Sequence, residues 1–129
     1  MLTTLLILAL LAVCIFEFVN GFHDTANAVA TVIYTKSLKP KQAVVWSGIM
    51  NFLGLITGGV GVALSIVTLI PKEILTDSNI YHTMGMVMSI LITAIFWNLA
   101  TWYKGIPASS SHTLIGSIIG VSVGYSIIT

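Results

Sequence analysis

Residues 2–19, LTTLLILALLAVCIFEFV, contain one charged side chain, Glu17. As a helix rising ~1.5 Å per residue, such a run nearly crosses the roughly 30 Å apolar core of a bilayer. Three further apolar stretches follow, at 42–70, 83–103 and 114–129. Charged residues make up only 7% of the 129, against roughly a quarter in soluble domains. So few charges cannot clothe a water-facing surface, and mean hydropathy is +1.03. The sequence therefore predicts an all-α integral membrane protein with three or four transmembrane helices.

The connections fit this reading. KSLKPK (36–41) holds three lysines and a proline, PKEILTDSNIYH (71–82) holds one lysine and two acids, and Lys104 follows the third stretch. Lysine excess marks the cytoplasmic side, so 36–41 and Lys104 are expected inside. Trp97, Trp102 and Tyr103 fall where an interfacial aromatic belt would lie. Gly54/Gly58, Gly116/Gly120 and Gly120/Gly124 have GxxxG spacing, which suits close helix packing and identifies no function.

Net charge is +1, so nothing points to nucleic acid. Cys14 is alone in an apolar run and suggests neither a disulfide nor a metal site. The N-terminal run lacks a basic flank and a small-residue cleavage site, and is expected to be retained.

Two polar segments interrupt this apolar chain. In NGFHDTANAVAT (20–31), Asn20-Gly21 reads as a helix break. Asp24, Asn27 and Thr31 then share a face of a half-helix beginning at membrane depth. In GIPASSSHTLIG (105–116), Pro107 suits a first helical turn and Ser109, Ser110 or Ser111 a cap. Ser109, Thr113 and Ser117 would then line one face.

Ionisable groups at membrane depth are expensive, about 3 kcal/mol at the centre of the bilayer. They are kept mainly for pathways and sites. Helix starts offer free N–H donors and partial positive charge, which suit an anion. Hydroxyls and helix-start amides would hold an oxyanion, while Asp24 would repel it and needs a cation. An oxyanion site beside a carboxylate is the logic of coupled symport. All five basic residues are lysines, and the lack of an arginine clamp suits a carrier that must release its anion.

Blander readings stand beside this one. Asp24 would serve as a helix cap, His23 and His112 as interfacial groups, and Asn51 and Asn98 as interhelical glue. A structural membrane subunit would need no more. An intramembrane serine hydrolase would need His23 as base for Ser110 or Ser111, since His112 and Ser111 are adjacent and do not face each other on a helix.

The segments GFHDTANAVAT (21–31) and GIPASSSHTLIGSIIG (105–120), with NFLGLITGG (51–59) and WNLATWYKG (97–105) between them, resemble the inorganic phosphate transporter (PiT) family of bacterial low-affinity type. The resemblance covers essentially all of residues 1–129. It implies half of an inverted-repeat transporter, with a re-entrant, broken-helix hairpin and a site near the midplane. It also makes this chain a fragment whose C-terminal half lies elsewhere. The implied activity is not enzymatic. It is phosphate symport across the inner (plasma) membrane by a multi-pass protein, with a proton or sodium as coupling ion and a divalent metal able to accompany phosphate. Homodimers are a family expectation, and no resident cofactor or metal is implied. By carry-over, Ser109, Ser110, Ser111, Thr113, Thr25 and Asn27 would bind phosphate. Asp24, Asn27 and His23 would serve the cation. Asn51 stands where many eukaryotic members have glutamate, which leans the coupling toward protons. A sulfate or other oxyanion carrier would use the same architecture.

Overall fold

The computed structural model describes residues 2–58, 60–68, 70, 72 and 79–128. The regular structure in these residues is all helical, in the order α1 (Leu2–Tyr34), α2 (Pro40–Gly58), α3 (Gly61–Val67), α4 (Ile80–Tyr103) and α5 (Ser110–Ile128). Two of them, α1 and α4, are long and apolar enough to cross a membrane.

The first departure from expectation is α1, which continues through Asn20-Gly21 for 33 residues. Ending a helix there would free backbone groups at a depth with no water to satisfy them. One helical glycine costs only about 1 kcal/mol, so continuation wins. The helix stops instead at Lys36, which has φ 57°. There the Ser37 amide donates to Val32 O and the Lys36 amide to Ile33 O, at 3.1 Å each, the Schellman arrangement with a lysine where glycine is usual.

The second departure lies in 42–70, expected as one span. Helix α2 ends at Gly58 and α3 starts at Gly61; positions 59 and 69 lie outside the described residues. So do the acids Glu73 and Asp77, expected in the following loop. Asn79 then caps α4, its side chain accepting from the Tyr81 amide at 3.1 Å.

The core is formed by α1, α4 and α5. Ala12 and Phe16 of α1 meet Leu91 and Ala94 of α4, with Leu114 of α5 against them. Further along, His23 of α1 meets Thr101 of α4. Both helices advance together through these contacts, so α1 and α4 run parallel, with α5 returning antiparallel after a short connection. The buried stripe of α1 is Ala12, Phe16, Val19 and His23, and that of α4 is Leu91, Ala94, Asn98 and Thr101. Spacings of three and four put each set on one helix face.

Elsewhere the large apolar residues point outward, including Leu10, Phe18, Phe52 and Leu55. In water such a surface would aggregate; facing lipid or further membrane helices, it is ordinary. The GxxxG glycines make no close approach here. A Cβ on Gly54, Gly58, Gly116, Gly120 or Gly124 would meet nothing within 4 Å.

Candidate functional site

At its C-terminal end α4 turns sharply. Gly105, at φ +65°, supplies the left-handed position, and the Ile106 and Gly105 amides donate to Thr101 O and Trp102 O. This second Schellman stop releases residues 106–109 as a non-helical strap that passes α1 at Asn27. Pro107 lies in that strap, ahead of the helix rather than in its first turn. Because α5 begins at Ser110, Ser109 is the cap. Its hydroxyl accepts from the His112 amide at 3.4 Å and shares a proton with His112 Nδ1 at 2.8 Å.

The strap brings the two polar segments together. The Ser110 hydroxyl donates to Asp24 Oδ1 at 2.7 Å, across 86 residues of chain. Asn27 Nδ2 donates to Ala108 O at 3.3 Å and approaches His23 Nδ1 at 3.4 Å. The other ring nitrogen of His23, Nε2, lies 3.4 Å from Thr101 Oγ1. The Thr101 hydroxyl donates to Trp97 O and Asn98 O. The bonding is therefore self-consistent with Nδ1 accepting from Asn27 and Nε2–H donating to Thr101.

Burial corrects both expected stripes. In α1 the enclosed residue is His23, with Asp24 and Thr25 half-buried and Asn27 and Thr31 exposed. A helix facing two neighbours turns 23 toward α4 and 24 toward α5. In α5 the buried stripe is Ser110, Thr113 and Ser117, with Ser109 and Ser111 exposed, because Ser109 is taken up by capping. Thr25 enters none of these contacts. Among the described residues His23 is hydrogen-bonded to Asn27 and Thr101 rather than to a serine, whereas His112 pairs with Ser109, three residues away.

The hydroxyl protons decide what the site can hold. Ser110 spends its proton on Asp24, Thr113 on Ser109 O and Ser117 on Thr113 O. Those three have only lone pairs left to offer. Donors for an anion are therefore the Ser110 and Ser111 amides, which have no helical acceptor, and the exposed hydroxyl of Ser111; the His112 and Thr113 amides are already taken by Ser109. A groove of about 430 Å³ opens on the neighbouring face of α5, bordered by Trp97, Ser109, His112 and Thr113. At roughly 30 Å³ per water it has room for a tetrahedral oxyanion and several waters. A smaller hollow of about 290 Å³ opens beside His23 and Asn27 under Trp102. Phe22 stacks edge-on against Trp102 at 5.4 Å, tying α1 to the end of α4. Among the described residues no group of three His, Cys, Asp or Glu is placed to hold a metal.

Comparison with known proteins decides the family. The model of the phosphate transporter family matches residues 20–128. The chain belongs to this family. Its relatives include the low-affinity inorganic phosphate transporters PitA and PitB of Escherichia coli strain K12. They are 53% and 51% identical over 125 residues, which is 97% of this chain and 25% of each relative. A probable low-affinity inorganic phosphate transporter of Bacillus subtilis strain 168 is 45% identical over 122 residues, 34% of its length. The chain thus spans a quarter to a third of the relatives it matches. No solved structure matches it. These relatives are named as transporters and not as enzymes, and with its apolar helices this family member is a membrane protein.

Sequence reasoning passed over Thr101 and the Ala108 carbonyl. Thr101 was within reach, since it continues the Ala94–Asn98 stripe at helical spacing. Ala108 contributes only backbone, which no side-chain pattern reports.

Proposed function

We propose that the chain supplies part of the substrate path of a cation-coupled inorganic phosphate symporter, multi-pass in the inner membrane. The observation that carries this is the Asp24–Ser110 bond, which joins an acid and an anion-suited helix start from opposite ends of the sequence. Phosphate binds the amides and hydroxyls of 109–113, reached by Thr25 and Asn27, and Asp24 takes the coupling cation with Asn27 and His23 around it. A proton is favoured over sodium, and a divalent metal travels with phosphate as cargo when present. The remainder of the site comes from a second, inverted half.

Ser110 gives the coupling a physical form. With Asp24 ionised and free, the carboxylate holds the Ser110 proton. A cation on Asp24 competes for the same oxygen lone pairs and releases that hydroxyl to donate to the oxyanion. The same cation cancels the repulsion between carboxylate and phosphate.

The test is a chimera in which this chain replaces the matched quarter of the Escherichia coli PitA relative. Its expected behaviour is saturable uptake of labelled phosphate, resistant to excess sulfate and driven by an inward proton gradient. Asp24→Asn should abolish that uptake. Full uptake by the variant would remove Asp24 from its role, and equal competition by sulfate would widen the substrate to oxyanions in general.

A further inference from the structure

The connection between α1 and α2 carries a basic cluster that the transport reading does not use. Lys36, Lys39 and Lys41 are all exposed, and none of them is ion-paired among the described residues. The nearest acid along α1 is Asp24, and about 15 Å of helix separates it from Tyr34, where α1 ends. That exceeds the roughly 8 Å over which exposed charges act on one another at physiological salt. Among the described residues, then, nothing neutralises these three charges. Between two of them the fold makes a hollow of about 330 Å³, lined by Ile33, Lys36, Leu38, Lys39 and Pro40. Its rim is pinned on both sides. The Lys36 and Ser37 amides close α1 on Ile33 O and Val32 O, and the Ala43 amide donates to Lys39 O as α2 begins. Lys36 holds φ 57°, where glycine is at ease and a residue with a side chain is strained. Glycine would end the helix without that strain and leave the hollow one ammonium group short.

The hollow lies at the edge of the apolar surface. Val44, Val45 and Trp46 are exposed within two turns of Lys39, and Tyr34 is exposed two residues before Lys36. Aromatic rings and lysines at such a boundary mark the headgroup level of a bilayer, here on the side that the lysine excess assigns to the cytoplasm. The lining makes two demands at once. Lys36 and Lys39 call for an anion, while Ile33, Leu38 and Pro40 call for something apolar. Inorganic phosphate would answer the lysines alone. A phospholipid answers both, with its phosphodiester on the ammonium groups and its glycerol beside Ile33 and Leu38. The space equals roughly ten waters, enough for a headgroup and glycerol, and the acyl chains would continue along the exposed apolar face of α2. A zwitterionic headgroup would bring a further ammonium against the lysines; an anionic one would not.

We propose that the hollow between α1 and α2 binds the headgroup of an anionic phospholipid of the cytoplasmic leaflet, with Lys36 and Lys39 on its phosphodiester. Basic pockets beside membrane helices hold such headgroups by the same combination of charge and depth. The bound lipid ties the α1–α2 turn to the membrane surface. The site stands apart from the Asp24–Ser110 contact and does not depend on what the chain transports.

The experiment is native mass spectrometry of the intact chain released from vesicles of equal phosphatidylglycerol and phosphatidylcholine. Adducts of phosphatidylglycerol are expected to predominate, and equal adducts of the two lipids overturn the proposal. A lysine near a membrane surface contributes about fivefold in binding, so Lys36→Gln with Lys39→Gln is expected to lower the preference by roughly 25-fold. Lys104→Gln removes a charge expected on the same side of the membrane but outside the hollow, and should change the preference by less than about twofold. Lys39→Gln alone should lower it about fivefold; it lies outside the strained position and carries the same arm should the double variant fail to insert. Equal losses in Lys39→Gln and Lys104→Gln overturn the site, because net charge then explains the preference. Displacement of phosphatidylglycerol by inorganic phosphate, but not by sodium chloride of equal ionic strength, assigns the hollow to the free ion and overturns the lipid. Phosphate uptake is measured in no arm, so failure here and failure of the transport reading are distinct results.

Discussion

Removing the Ser110 hydroxyl tests the joint between the two polar segments. The bond to Asp24 is 2.7 Å long, in the range of hydroxyl–carboxylate bonds strengthened by charge. Hydrogen bonds to charged groups contribute about 1.5–3 kcal/mol. Asp24 is only half-buried, and water reaching it screens the interaction, so the lower end, about 1.5 kcal/mol, is the appropriate value. That corresponds to roughly a tenfold change in the unfolding equilibrium. The assay is a double-mutant cycle with Ser110→Ala, Asp24→Ala and the pair, read by unfolding in mixed micelles of rising sodium dodecyl sulfate. A coupling of about 1.5 kcal/mol is expected for the pair, because direct contacts are non-additive on this scale. Asp24→Asn in place of Asp24→Ala should keep about half, since a neutral acceptor remains. Additivity to within about 0.5 kcal/mol would mean that the contact does not join the segments, and the coupling role given to Ser110 would go with it.

Three further outcomes are expected. Gly21→Ala should raise stability by roughly 0.5–1 kcal/mol, because α1 is helical there and an added Cβ meets nothing within 4 Å; a fall in thermal midpoint would restore the break at Asn20-Gly21. Lys36→Gly should raise that midpoint by the equivalent of about 1 kcal/mol, since Lys36 holds φ 57°; no gain would discount the left-handed stop. His23→Leu should cost little in unfolding, under about 1 kcal/mol, because both ring contacts are long and an apolar side chain of similar size suits the enclosed position. It should nonetheless impair phosphate uptake by the chimera, and intact uptake would free His23 from the cation site.

The sequence announced its two polar segments because His23, Asp24 and Ser109–Ser111 are conspicuous against apolar surroundings. Their meeting was inferred from chemistry alone, and the Asp24–Ser110 contact is where the fold makes it. Helix identity was equally plain, as in 83–103, which became α4 with three residues added at its start. What escaped were details set by neighbours. Asn20-Gly21 carries a breaking signal by local preference, yet the cost of bare backbone at membrane depth overrides it. Which of Ser109 and Ser110 turns inward depends on one residue of cap placement, and a one-residue shift rotates a helix face by about 100°. The stop at Lys36 was invisible because lysine is seldom asked to take a left-handed conformation.

The unbroken α1 has a mechanical consequence. Asp24 rides eight residues beyond Phe16, where α1 is clasped against Leu91 and Ala94, so the stretch between them is a stiff arm of roughly 12 Å. The His23–Thr101 and Phe22–Trp102 contacts hold this arm to α4, so it is when α1 and α4 swing together against α5 that about 10° carries the carboxylate some 2 Å, enough to part it from Ser110. A jointed helix would absorb such a movement at its hinge. A rigid one transmits it, so the tilt of the rod in the bilayer, and with it the length of the surrounding lipid chains, becomes a dial on the contact between carboxylate and hydroxyl.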